Sequence, residues 1–176
     1  MKRPLNGRFR PGWEFLRRWG PLCLWVMTIS AFSTGAFSAD ETSQYIVPFL
    51  RWLLPGATIG TIQALHGVIR KGMHVTEFAV LALLWYRGLS WGKWGWQPAD
   101  AWKAFGLAVL IAVGDEVHQS FVPSRTPSAL DVAWDTLGAA CGLVGWGIVA
   151  GVLQSEDKTT APEASPPGRG SVAAGD

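Results

Sequence analysis

The side chains in this chain that are equipped for acid-base or binding chemistry gather in one stretch, Asp115 to Asp135, DEVHQSFVPSRTPSALDVAWD. It holds four carboxylates (Asp115, Glu116, Asp131, Asp135), the Arg125 guanidinium, the His118 imidazole and the Gln119 amide, and it lies between two apolar segments. Ionisable groups beside such segments are costly unless they pair, line a wet cavity or perform a function. At roughly 100° per residue, Asp115, Glu116 and Gln119 share an arc of about 100° on one helix, and Asp131, Asp135, Gly138 and Gly142 share about 60° on the next. Pro123 and Pro127 interrupt the helices between them, and Ser128 is a suitable N-cap for the second, three residues ahead of Asp131. A second polar block, Lys71, His74 and Glu77, opens another apolar run and covers one side of its helix within about 120°.

Three chemistries suit these residues. Lys71 and Arg125 are the groups to clamp a phosphate or carboxylate, Arg125 in a bidentate fashion. His74 beside Glu77 has the makings of a general base, and Glu116, crowded by other acids, those of a proton donor, so the catalytic candidates are His74, Glu77 and Glu116. His74-x-x-Glu77 and Asp115-x-x-His118 offer N and O donors one turn apart, yet neither is a recognised metal motif and no Cys takes part, so neither a metal nor any other cofactor is expected. The bland alternative is that the polar groups staple helix ends, each bond contributing about 0.6 kcal/mol. Stapling needs only a few satisfied pairs, and the acids sharing one face outnumber them. The expected ligand-binding set is therefore Lys71, His74, Asp115, Glu116, Gln119, Arg125, Asp131 and Asp135.

The elements that must position these groups read as membrane spans. The chain has 176 residues, 49% hydrophobic and only 16% charged, with 11 Trp; soluble domains carry about 25% charge. Residues 20–39 are free of charge and long enough to cross a bilayer, although the basic lead-in and Ala36-Phe37-Ser38 also fit a cleaved signal peptide. YIVPFLRWLLP, with Pro48, Arg51 and Pro55, is too short to span and reads as re-entrant or interfacial. After it, Ile59, Ile62, Leu65 and Ile69 predict an amphipathic surface helix that also carries His66. Residues 72–87 form the second expected span. A Trp- and Gly-rich connection to Lys103 suits the headgroup level, a third span begins near Trp102 and leads into Asp115, and a fourth runs from Ser128 to Leu153. Gly138-x-x-x-Gly142 and Gly147-x-x-x-Gly151 permit close helix approach.

Before residue 20, Lys2, Arg3, Arg8, Arg10, Arg17 and Arg18 face one acid, Glu14, a net +5 that favours a cytoplasmic N-terminus and suits anionic lipid. Four spans then leave eleven basic residues inside and four outside, with Arg70 and Lys71 against the trend. No aromatic-interleaved basic stripe points to nucleic acid. Cys23 and Cys141 lie in apolar runs and suggest no disulfide framework. With no inverted repeat and with the charges at one face rather than the midplane, a transporter or channel is disfavoured. The expected organisation is a basic cytoplasmic segment at 1–19, an all-α transmembrane domain at 20–153 with the re-entrant or interfacial pieces between its first two spans, and a disordered tail at 154–176.

The pattern Asp115-Glu116-x-x-Gln119, Pro123-x-Arg125, Asp131 and Asp135-x-x-Gly138 resembles the signature of VanZ-like membrane proteins, a family named for a teicoplanin-resistance protein. Lys71-x-x-His74-x-x-Glu77-Phe78 is similar to that family's other signature, and WVMTISAFS, at residues 25–33, is a less specific match. Two positions depart from the pattern: Phe78 stands where the family often has Tyr, and Ser124 where Gly commonly precedes the Arg. The resemblance implies a bacterial, multi-pass protein of the inner (plasma) membrane. Four spans starting inside would bring both polar blocks to the extracytoplasmic face as one pocket, expected to bind an anionic cell-envelope or glycopeptide-related molecule, and the resemblance adds a link to teicoplanin resistance.

Overall fold

The computed structural model describes residues 11–34, 39–123 and 128–160. Its described residues form five helices and no strand: α1 (Pro11–Phe32), α2 (Ala39–Leu53), α3 (Ile59–Leu89), α4 (Pro98–Gln119) and α5 (Ala129–Thr160). Helix α3 is the hub, touching all four others. It runs parallel to α5, with Val75 beside Gly138 and Ala79 beside Gly142. Helix α1 runs antiparallel to it, as Arg18 meets Gly88 and Trp25 meets Glu77.

Small residues set the helix spacing. A Cβ on Gly138 would lie 2.2 Å from the Val75 carbonyl oxygen, and one on Gly142 2.9 Å from that of Ala79. The backbones of α3 and α5 therefore touch where the first Gly-x-x-x-Gly predicts. The second pair behaves differently, for Gly147 receives the Trp96 ring and Gly151 faces open space. Helix α4 contributes Ala101, Ala104, Ala108 and Ala112, all buried, at spacings that keep them on one face. Phe78, Leu81, Ala82 and Tyr86 of α3, Leu22 and Ile29 of α1, and Ala139 and Leu143 of α5 complete the core.

The helix ends follow from local chemistry. Thr58 caps α3, its hydroxyl accepting the Thr61 N–H at 3.2 Å. The next connection turns through Gly92 and Gly95, whose φ angles of +76° and +73° suit glycine, and the Tyr86 hydroxyl accepts the Gln97 N–H at 3.0 Å just before α4. Ser128 caps α5 as expected, accepting the Leu130 N–H at 3.2 Å.

Three features differ from expectation. The surface helix and the second span are a single 31-residue helix, because no proline or cap separates Ile59 from Leu89. His66 is consequently buried rather than surface-lying, and its Nε2 has no hydrogen-bond partner among the described residues. Helix α5 continues past Leu153 to Thr160, since Gln154 to Thr160 contains neither Gly nor Pro to stop it. The basic residues before Pro11 and the tail after Thr160 lie outside the described residues. Of the four expected spans, one, within Ala129–Glu156, is long and apolar enough to cross a membrane among the described residues. Helices α1, α3 and α4 carry charge inside their lengths, at Arg17 and Arg18, at Arg70 and Lys71, and at Asp115 and Glu116.

Candidate functional site

The two polar blocks meet where α3 and α5 touch. His74, on α3, donates its Nδ1–H to Asp135 Oδ1 at 3.0 Å. Asp135 is fully buried, while His74 keeps part of its ring open. The contact exists because Gly138, one turn beyond Asp135, lets α5 lie against α3 at Val75. A carboxylate on Nδ1 fixes the ring tautomer and leaves the Nε2 lone pair free to accept a proton.

His74 lines a cavity of about 90 Å³ between α1, α2, α3 and α4. Its polar wall consists of Ser33, Thr42, Arg70, His74, Glu77, Asp115 and Gln119, and its apolar wall of Ile29, Phe32, Ile46 and Met73. Arg70 donates to the Thr42 hydroxyl at 3.1 Å, which attaches α2 to α3 over the cavity. Gln119, buried, donates to Asp115 Oδ2 at 2.7 Å along α4. Ser33 Oγ and His118 Nδ1 are in hydrogen-bond contact at 3.3 Å, tying the end of α1 to the end of α4.

The expected site residues divide into three groups. His74, Glu77, Asp115 and Gln119 line the cavity, and Asp135 supports it from behind His74. Glu116, Lys71 and Asp131 stand outside the cavity wall. The Glu116 carboxylate accepts the Ser128 backbone N–H and so joins the end of α4 to the start of α5. The Lys71 ammonium stands over the Trp134 ring, 5.4 Å from its centroid. Asp131 is half-buried in the first turn of α5, its N–H donating to the Ser128 carbonyl at 2.8 Å. Arg125 lies outside the described residues.

Arg70, Ser33 and Thr42 line the cavity without having been singled out in the sequence. Helical arithmetic finds the first. Arg70, His74 and Glu77 fall within about 60° of one another, whereas Lys71 lies about 100° from Arg70. Ser33 and Thr42 carry no such signal, because their place depends on how α1 and α2 pack. Among the described residues no group of three or more His, Cys, Asp or Glu side chains converges to hold a metal ion.

No curated protein and no solved structure shows significant similarity to the chain. The VanZ/LLP1 family model matches residues 21–150, a range that contains the His74–Asp135 pair and every residue of the cavity wall. That match spans most of the sequence, so this chain belongs to the VanZ/LLP1 family.

Proposed function

We propose that this protein is a multi-pass inner-membrane protein whose cavity around His74 binds the anionic headgroup of a cell-envelope amphiphile on the extracytoplasmic side. Helix lengths support the membrane part. Helices α1 and α4, at 22 residues each, are about 33 Å long against a hydrocarbon thickness of about 30 Å. Their outward faces are apolar: Leu24 and Met27 on α1, Leu110 and Val117 on α4, and Val144, Ile148 and Val152 on α5 are all well exposed. So broad an apolar surface is foreign to a soluble monomer. Tyr45, Phe49 and Trp52 form an exposed stripe on α2, as on a helix lying in the interface.

The observation that carries the binding reading is the cavity itself, lined by the Arg70 guanidinium, the Asp135-held imidazole and the Glu77 and Asp115 carboxylates together with the apolar Ile29, Phe32, Ile46 and Met73. A wall of each kind suits a headgroup attached to an acyl or prenyl chain. Its volume corresponds to about three waters, room for a phosphate or a small polar headgroup rather than a whole glycopeptide. The test is to purify the full chain in mild detergent, extract what remains bound and identify it by mass spectrometry. A phosphate- or carboxylate-bearing amphiphile should copurify at close to one equivalent and fall at least tenfold with His74→Gln at equal yield and thermal stability. Equal occupancy in both proteins, or no amphiphile in either, overturns the reading.

A second reading, acid-base catalysis on the same amphiphile, is favoured by the imidazole geometry. With Nδ1–H bound to Asp135, His74 presents a basic Nε2, the arrangement a general base requires. Chemical change of the bound amphiphile over time, lost in His74→Gln, would distinguish turnover from binding.

A further inference from the structure

The end of the bundle remote from His74 holds a different concentration of charge. Arg17 and Arg18 of α1 meet Arg87 of α3 there. Pro21 has no N–H, so the Arg17 carbonyl four residues earlier loses its helical partner. Arg87 supplies one instead, donating Nη2–H to the Arg17 carbonyl at 3.0 Å and Nη1–H to that of Arg18 at 3.3 Å. In return Arg18 donates Nε–H to the Gly88 carbonyl at 2.7 Å, in the last turn of α3. The Arg87 guanidinium also lies 4.8 Å from the Trp91 ring centroid, and that of Arg17 approaches the same ring at 6.0 Å.

Two cations on one indole repel each other, and among the described residues none of the three arginines is ion-paired to a carboxylate. Asp100, in the first turn of α4, is already shared by Lys93 and Lys103. Such a cluster suits an anion. We propose that Arg17 and Arg87, backed by Trp91, form a binding site for the phosphate of an anionic phospholipid.

The geometry fits that ligand in three ways. Arg87 is held in place by two carbonyls, so its remaining edge is presented without a large entropy cost, and guanidinium forks match phosphate oxygens. Leu24, two turns farther along α1 on the face of Arg17 and toward the bilayer, is more than half exposed and offers an apolar bed for acyl chains, which inorganic phosphate lacks. Tryptophan at this level matches headgroup depth. The proposal rests on the membrane reading above but is independent of the His74 cavity. A protein that stayed monodisperse without detergent would count against the former and be seen before any lipid was added.

The experiment titrates the full chain, purified in neutral detergent, with phosphatidylglycerol, phosphatidylcholine and inorganic phosphate, reading bound lipid by native mass spectrometry. Phosphatidylglycerol should bind in preference to phosphatidylcholine, and inorganic phosphate should not displace it. Arg17→Gln should weaken it roughly fivefold, the share of one juxtamembrane cation. This variant leaves the Arg87 and Arg18 bonds to backbone in place. Arg51→Gln, the same charge change on α2, should bind as the parent does. Arg17→Lys, which keeps charge and loses the fork, should fall between parent and Arg17→Gln, and carries the test if the latter does not fold. Equal binding of both lipids, equal effects of the Arg17 and Arg51 changes, displacement by inorganic phosphate, or parent-like binding by Arg17→Lys when it alone folds would overturn the proposal.

Discussion

At the scale of single residues, several polar side chains of this protein are held by specific backbone or charge partners. Glu116 accepts an N–H at the start of α5, as an acid within α5 would in a capping box, but from the preceding helix. Asp100 is the clearest electrostatic case outside the proposed spans. It is buried in the first turn of α4, where the helix dipole favours negative charge. The hydrogen bond from Lys93 holds its carboxyl below the ordinary range of about 4, the Lys93 and Lys103 charges adding to the effect against the opposing cost of burial. A carboxyl depressed in the folded state stabilises the protein fully above its unfolded pKa. That contribution fades as pH falls through the folded value. Asp100→Asn should therefore lower the thermal unfolding temperature at pH 7 and converge with the parent as pH falls below the ordinary carboxylate range of about 4. A constant difference over that fall in pH would show that Asp100 acts by shape rather than by charge.

Among the elements, the contact of α3 with α5 decides whether a site exists. The His74–Asp135 bond needs the two backbones close together, and Gly138 alone provides the space beside Val75. Gly138→Ala should cost about 1–3 kcal/mol or more through overpacking against a carbonyl that cannot move aside. Gly151→Ala, where a Cβ meets nothing, should stay within about 0.5 kcal/mol of the parent. Chemical unfolding in micelles measures both, and equal costs would mean that α5 does not pack as described. These elements were largely legible in the sequence. The breaks at Pro55, Pro98 and Pro123, the cap at Ser128 and the first small-residue pair act as their chemistry dictates, whereas Pro48 sits inside α2 without ending it. The continuity of α3 was not legible, because Arg70 and Lys71 interrupt the apolar pattern without interrupting helical backbone. The cavity was half legible. His74, Glu77, Asp115 and Gln119 follow from type and spacing, whereas Ser33 and Thr42 enter from α1 and α2, whose packing leaves no local trace.

Across the whole molecule the two ends of the bundle differ in charge. One end gathers Arg17, Arg18, Arg87, Lys93 and Lys103 around Trp19, Trp85 and Trp91. The other brings Glu77, Asp115, Glu116 and Asp135 together under α2 and the first turns of α3. Helix α3 is about 46 Å long, more than a bilayer core requires, so if it spans as proposed roughly three of its turns stand outside, on the side where α2 packs. On the proposed membrane reading, the positive-inside tendency predicts the arginine end in the cytoplasm and α2 outside. Single cysteines in a background lacking Cys23 and Cys141 test this directly. On intact cells, an impermeant maleimide should label Arg51→Cys on α2 and Phe121→Cys after α4. It should reach Trp94→Cys before α4 and Ser155→Cys near the end of α5 only once the membrane is opened. Labelling of all four from outside would remove the alternation of α3, α4 and α5 across the bilayer. The reverse pattern would put the His74 cavity on the cytoplasmic side, where an outer-leaflet or wall-precursor headgroup could not reach it.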